Sequence, residues 1–139
     1  MIIADTGAII ALVDADDRHH KTLRALYEQD PSQWVLPCAT LPEIDYLLAE
    51  HVGPRAAEEF LADLASGAFA VEWGEQVDLV RARELCTRYK SLRLGLVDGV
   101  VMSIAERKRA SAIATVDVRH FGAVALRGRP KILPRDLGS

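Results

Sequence analysis

Ile2-Ile3-Ala4-Asp5-Thr6-Gly7-Ala8-Ile9-Ile10-Ala11-Leu12-Val13-Asp14 opens the chain, and its reading decides the fold. Ile2 to Asp5 reads as a short buried strand, closed by a carboxylate. From there the pattern turns helical and runs through about Asp14. A strand passing directly into a helix begins a βα unit, and repetition of that unit builds a parallel sheet covered by helices.

The alternation continues outward from this stretch. A second short helix is expected over Arg18 to Glu28, ended by Asp30-Pro31-Ser32, and Trp34-Val35-Leu36 is a brief strand that Pro37 stops. A helix starts near Thr40 with the apolar stripe Ile44, Leu47, Leu48, and Gly53-Pro54 breaks it. The next helix is expected to bury Ala57, Phe60, Leu61 and Leu64 and to expose Glu58, Glu59 and Asp63. Phe69 to Trp73 alternates like a strand. Leu79, Ala82, Leu85, Cys86 and Tyr89 form a helical stripe, with Arg81, Arg88 and Lys90 off it. Val97, Val100, Val101, Ile104 and Ala105 mark the clearest amphipathic helix, followed by strands at Ala112 to Val116 and Lys131 to Leu133. No internal repeat, low-complexity tract or long linker interrupts the series. The implied architecture is an α/β sandwich with a largely parallel sheet.

The 139 residues fit one domain, expected to span 1–139, with a core large enough to need neither disulfide nor structural metal. Cys38 and Cys86 stand far apart and in no C-x-x-C pair, as expected for buried thiols in a reducing cytosol. The N-terminus lacks a basic region before its apolar residues, and Asp5 and Asp14 bracket the longest apolar run. The expectation is a cytoplasmic protein without a membrane span. Net charge is −3, but residues 1–79 hold 4 Lys+Arg against 15 Asp+Glu, and residues 80–139 hold 13 against 5. Such a split fits either a polyanion-binding face beside an acidic site or two differently charged, solvated surfaces.

Four carboxylates occupy positions where open parallel sheets place their chemistry. Asp5 ends the first strand and Asp117 ends Ile113-Ala114-Thr115-Val116-Asp117, while Glu43 and Asp98 sit where helices begin. Each also has a structural explanation. Asp5 and Asp98 can cap helices, Thr40 and Glu43 match the T-x-x-E capping box, and Asp117 can start a turn. Taken together those explanations weaken. Asp5 and Asp98 adjoin strongly apolar segments, where an ionised group is costly unless paired or metal-bound, and no basic residue stands next to either. Two like charges about 4 Å apart repel by roughly 4 kcal/mol at an effective dielectric near 20. A carboxylate cluster therefore requires a cation or raised pKa values, and all-oxygen ligands suit Mg²⁺ or Mn²⁺. The chain has no G-x-S-x-G, H-E-x-x-H, G-x-x-x-x-G-K-[ST] or G-x-G-x-x-G. Asp16-Asp17-Arg18-His19-His20 reads as the acidic start of a surface helix, and His51 and His120 have no partner at metal-binding spacing.

Together these residues resemble a known family. Ile3-Ala4-Asp5-Thr6-Gly7-Ala8 resembles the opening of PIN domains, and Pro42-Glu43-Ile44-Asp45-Tyr46-Leu47 their glutamate segment. Leu94-Gly95-Leu96-Val97-Asp98 is similar to the third acidic motif, and Ala114-Thr115-Val116-Asp117-Val118-Arg119-His120-Phe121 to the fourth, as found in VapC-type toxins. Lys131-Ile132-Leu133-Pro134 resembles their final strand. The motifs stand in order over nearly the whole chain. Gly99 departs from the Ala usual after the third acidic residue, a change expected to loosen the helix start by up to about 1 kcal/mol. The last motif has no acid besides Asp117, so a second metal would be thinly held.

The resemblance implies a three-layer α/β/α sandwich with a short, mainly parallel central sheet, and a Mg²⁺- or Mn²⁺-dependent endoribonuclease that is the toxin of a VapBC-like pair. It implies Asp5 and Asp98 as the core of the metal site, Glu43 and Asp117 completing the catalytic acids, and Thr6 and Thr115 holding the acids by hydrogen bonds. Products with a 5′-phosphate and a 3′-hydroxyl are expected, from transfer or ribosomal RNA. A homodimer and a small VapB-like antitoxin are the implied protein partners, with Glu58, Glu59 and Asp63 as one contact or as a solvated face. Arg81, Arg88, Lys90, Arg93, Arg107, Lys108, Arg109 and Arg119 are candidates for phosphate contacts, with Arg107 to Arg109 equally suited to stabilising their helix's C-terminus. Two other readings stand beside this one. One is a non-catalytic PIN-fold binding module, which has no need to keep four clustered acids. The other is a metal-dependent phosphatase or phospho-acceptor receiver, which fits poorly because Asp5-Thr6-Gly7 lacks the second acid of D-x-D.

Overall fold

The computed structural model describes residues 1–138. Its strands are β1 (Ile2–Ala4), β2 (Trp34–Pro37), β3 (Ala70–Glu72), β4 (Ala112–Ala114) and β5 (Lys131–Leu133). They form one five-stranded sheet in the order β3-β2-β1-β4-β5, and every neighbouring pair is parallel. The helices are α1 (Thr6–Val13), α2 (His20–Gln29), α3 (Leu41–His51), α4 (Pro54–Ser66), α5 (Gln76–Arg88), α6 (Leu96–Arg107) and α7 (Val118–Phe121).

Period-two alternation in the strands gives the sheet two apolar faces. Ile3, Ile113 and Ile132 enter one core with Leu85, Val101, Ile104 and Phe121 from α5, α6 and α7. Ala4, Ala114, Trp34 and Leu36 enter the other with Ile9, Ile44, Leu48 and Phe60 from α1, α3 and α4. Helices cover both faces, giving the expected three layers. The chain passes from β1 to β2 to β3 on one side, then returns through α5 and α6 to place β4 on the other side of β1. Between β1 and β4 the strand order reverses, and a crevice forms beyond the strand ends at such a point. The Asp5 amide donates to the Ala114 carbonyl at 2.8 Å, and the Thr115 amide to the Leu133 carbonyl at 2.9 Å. Pairing therefore carries one residue past the strands, bringing Asp5 and Thr115 level.

Helices α5 and α6 meet through small residues and buried ions. Gly99 lies against Ala82: a Cβ added at Gly99 would stand 2.9 Å from the Ala82 Cβ and 3.2 Å from its Cα. Arg107 on α6 donates to Asp78 on α5 at 2.8 Å and to Glu72 of β3 at 2.9 Å. Arg81 on α5 donates to Glu106 on α6 at 2.7 Å.

Several local expectations change. β2 includes Pro37, which pairs in register with Glu72 at the end of the strand, where one missing donor is tolerated. Helix α2 begins at His20 because Asp17 Oδ1 takes the His19 amide at 2.8 Å and holds a turn there. Leu61 is 62% exposed and Leu79 47% exposed, against the burial expected of both. On α5 the buried line runs instead through Asp78, Ala82 and Leu85, and Asp78 holds its place because Arg107 pairs with it. β4 stops at Ala114, so Asp117 lies beyond the strand and starts α7.

Candidate active site

Asp5 stands at the N-cap position of α1 but makes no capping bond to that helix. Its Oδ2 instead accepts the Thr115 hydroxyl at 3.0 Å, in a fully buried contact. The side chain lies in the interior, with only 7% of the residue exposed. Burial pushes its carboxyl up to about 6; the bonds from Thr115 and the Thr6 backbone oppose the rise, and the charges of Asp98 and Glu43 add to it. A carboxyl in that range changes charge close to neutral pH.

The Thr115 hydroxyl also accepts the Asp117 amide at 3.0 Å, so one side chain fixes both Asp5 and the turn carrying Asp117. Asp117 caps α7, its Oδ1 taking the His120 amide at 3.1 Å, so the expected turn role is met. Its second oxygen, Oδ2, faces the His120 ring, 3.1 Å from Nδ1. Asp98 Oδ2 approaches the same nitrogen from α6 at 3.0 Å. Asp98 is not the N-cap of α6, a position held by Gly95; it lies within the first turn. Burial raises its carboxyl above the usual range, the His120 ring opposes this, and the Asp117 charge reinforces it.

Glu43 lies in the exposed first turn of α3 and reaches the cluster through its charge on Asp5. The capping box expected with Thr40 does not form; the Thr40 hydroxyl donates to the Pro37 carbonyl at 2.7 Å instead. Nor does Thr6 bond an acid. Its Oγ1 is buried and has no hydrogen-bond partner among the described residues. A buried hydroxyl left unpaired costs about 1–3 kcal/mol. Asp98, Asp117 and His120 offer one ligand atom each, all within 4.8 Å of one another. Hard oxygen donors and an imidazole at this spacing fit a divalent cation.

The family model for the PIN domain matches residues 2–126. The chain belongs to the PIN-domain family. A curated relative, Ribonuclease VapC26 of Mycobacterium tuberculosis, is 31% identical over 88% of this chain and 91% of its own length. Among solved structures, the sarcin-ricin loop cleaving toxin VapC20 of Mycobacterium tuberculosis superposes with a TM-score of 0.78 at 24% identity, covering 90% of this chain and 97% of that one. DNA-bound VapBC of Salmonella typhimurium gives a TM-score of 0.69 at 18% identity, over 94% and 95% of the two chains.

In this PIN domain the structure brings Asp5, Asp98 and Asp117 to one end of the sheet, with Glu43 at the rim. The residue that sequence spacing missed is His120. Its tie to Asp117 was legible as D-x-x-H on one helical turn, but its partner Asp98 is on another helix. The basic residues also sort. Arg81 and Arg107 are mostly enclosed and bound to Glu106, Glu84, Asp78 and Glu72, and Lys108 pairs with Glu72. These pin α5, α6 and β3 together. Arg88, Lys90, Arg93, Arg109 and Arg119 are exposed.

Proposed function

We propose that this PIN domain, read as one unit over residues 1–139, is a Mg²⁺- or Mn²⁺-dependent endoribonuclease and the toxin of a VapBC-like pair. The observation that carries the reading is the convergence of Asp5 and Asp117 through Thr115, and of Asp117 and Asp98 at the His120 ring, where β1 and β4 end. Ribonuclease VapC26 supports the activity, and the toxin–antitoxin complexes among the solved structures support a VapB-like antitoxin. A cytoplasmic homodimer completes the proposal; among the described residues no helix is long and apolar enough to cross a membrane.

Asp5 and Asp98 are the core of the metal site, and Asp117 adds Oδ2, the oxygen not used to cap α7. A bound divalent cation supplies positive charge to the scissile phosphate and acidifies water at neutral pH. Thr115 holds Asp5 and the Asp117 turn in register, so the acids need no reorganisation when substrate arrives. One of the flanking carboxylates, Glu43 at the exposed rim or Asp117, orients the attacking water. Arg93, just before α6, and Arg119, on α7, stand next to the acidic segments and offer phosphate contacts.

Incubating total RNA with the purified, folded, antitoxin-free protein and Mg²⁺ or Mn²⁺ tests the reading. Discrete cuts are expected that vanish with EDTA and in Asp5→Asn and Asp98→Asn. If wild type and variants behave alike with and without metal, the protein is a PIN-fold binding module.

A further inference from the structure

His120 has no part in the metal site as read from sequence, yet its ring occupies the middle of the acidic cluster. We infer that His120 is a nitrogen ligand of the divalent-metal centre and biases it toward Mn²⁺ over Mg²⁺. The inference rests on the metal-dependent reading above and deepens it.

Two carboxylate oxygens, Asp98 Oδ2 at 3.0 Å and Asp117 Oδ2 at 3.1 Å, face the single nitrogen Nδ1. A ring nitrogen carries at most one hydrogen and cannot serve both oxygens fully. A divalent cation in the same place takes all three atoms as ligands. The local structure keeps them aimed there. Asp117 Oδ1 is occupied by the His120 amide, which leaves Oδ2 for the ring side, and the i, i+3 spacing puts both residues on one side of α7. The His120 and Asp98 side chains are each only 20% exposed, so neither is a freely waving surface group.

The ligand type sets the preference. Mg²⁺ favours oxygen donors and retained waters, whereas Mn²⁺, though the weakest binder of the first-row series, accepts an imidazole beside its carboxylates more readily than Mg²⁺ does. Asp117 is the lone acid of its motif, and His120 adds a further donor beside it and Asp98. The other histidines lie elsewhere: His19 and His20 at the start of α2, where His20 Nδ1 meets the Ala11 carbonyl at 2.8 Å, and His51 at the end of α3.

The test is pulsed electron paramagnetic resonance on the full chain, freed of metal and reloaded with Mn²⁺, beside Mn²⁺ and Mg²⁺ titrations. Nitrogen modulation on bound Mn²⁺ is expected in wild type and in a His19→Gln/His20→Gln/His51→Gln variant, but not in His120→Asn or His120→Ala. Mn²⁺ affinity of the His120 variants should fall by about 10- to 100-fold, the loss typical when a metal site's support is removed. Mg²⁺ affinity should change far less. Mn²⁺ that binds, depends on Asp98, and shows no nitrogen modulation would overturn the role of His120 while leaving the metal-dependent reading intact. Absence of Mn²⁺ binding in wild type would overturn both.

Discussion

The Thr115 hydroxyl donates to Asp5 Oδ2 at 3.0 Å, and this contact ties the residue that follows β1 to the segment leaving β4. The same oxygen accepts the Asp117 amide, so removing it loosens two acids at once. Thr115→Val keeps the shape and deletes both bonds. The Asp5 carboxyl should then titrate above its position near 6, since the Thr115 bond is the largest influence opposing its burial. Thr115→Ser should leave it nearly unchanged. Carbon-detected NMR titration of the aspartate carboxyls distinguishes the two. Equal titration of Asp5 in wild type and Thr115→Val would show that the bond does not set its charge.

Asp5 also makes stability depend on pH. Its folded pKa, about 6, lies above the ordinary value of 3.8, so the folded state binds the proton more tightly than the unfolded chain. That contribution is fully present below about pH 4 and is lost as pH rises through 6. The loss amounts to about 3 kcal/mol, at roughly 1.4 kcal/mol per pKa unit. Asp5→Asn, which carries no charge, should match wild type near pH 4 and be more stable than it at pH 7.5 without metal. Urea unfolding at both values checks this. A neutral-pH midpoint for Asp5→Asn at or below that of wild type would contradict it.

Most of the fold was open to a reader of the sequence because buried strands and helical stripes write their period into the chain. Asp5, Glu43, Asp98 and Asp117 were also visible, since each stands beside a recognisable element boundary. What stayed hidden depends on distant partners. Nothing around Asp78 announces that Arg107 comes from α6 to neutralise it, so Leu79 was assigned to the buried face in its place. His120 needed Asp98 from across the crevice. Thr6 reads in the sequence as a helper of the acids, and only packing reveals that its hydroxyl is enclosed with no partner among the described residues.

Gly99 is a further case of that kind. Its departure from the alanine usual in the resembling motif suggested a slightly loosened helix; the structure shows α5 pressed against its backbone. Gly99→Ala would place a Cβ 2.9 Å from the Ala82 Cβ and 3.3 Å from the Ala82 carbonyl oxygen. Overpacking of this sort costs about 1–3 kcal/mol, so Gly99→Ala should be less stable than wild type despite alanine's better helix propensity. Adding Ala82→Gly removes the tightest contact but not the backbone ones, and should recover part of the loss. Thermal melts of both variants report the outcome. A Gly99→Ala protein more stable than wild type would mean that α5 can move away freely.

The last prediction separates two kinds of arginine. Arg107 is held by Asp78, whose side chain is 3% exposed, so Arg107→Ala leaves a buried carboxylate without its cation. Breaking such a pair costs about 3–5 kcal/mol, with the lower end expected because the Arg107 side chain is 21% exposed. Arg119 is exposed on α7, beside His120, and its removal should leave the melting temperature nearly unchanged. Its effect should appear in RNA binding instead, measured with the non-cleaving Asp98→Asn background over a range of salt. Losing one phosphate contact lowers the slope of log affinity against log salt by about 1. A slope unchanged by Arg119→Ala would remove that side chain from the RNA path. An Arg107→Ala protein as stable as wild type would mean that the ion pair joining α5 to α6 contributes nothing to the fold.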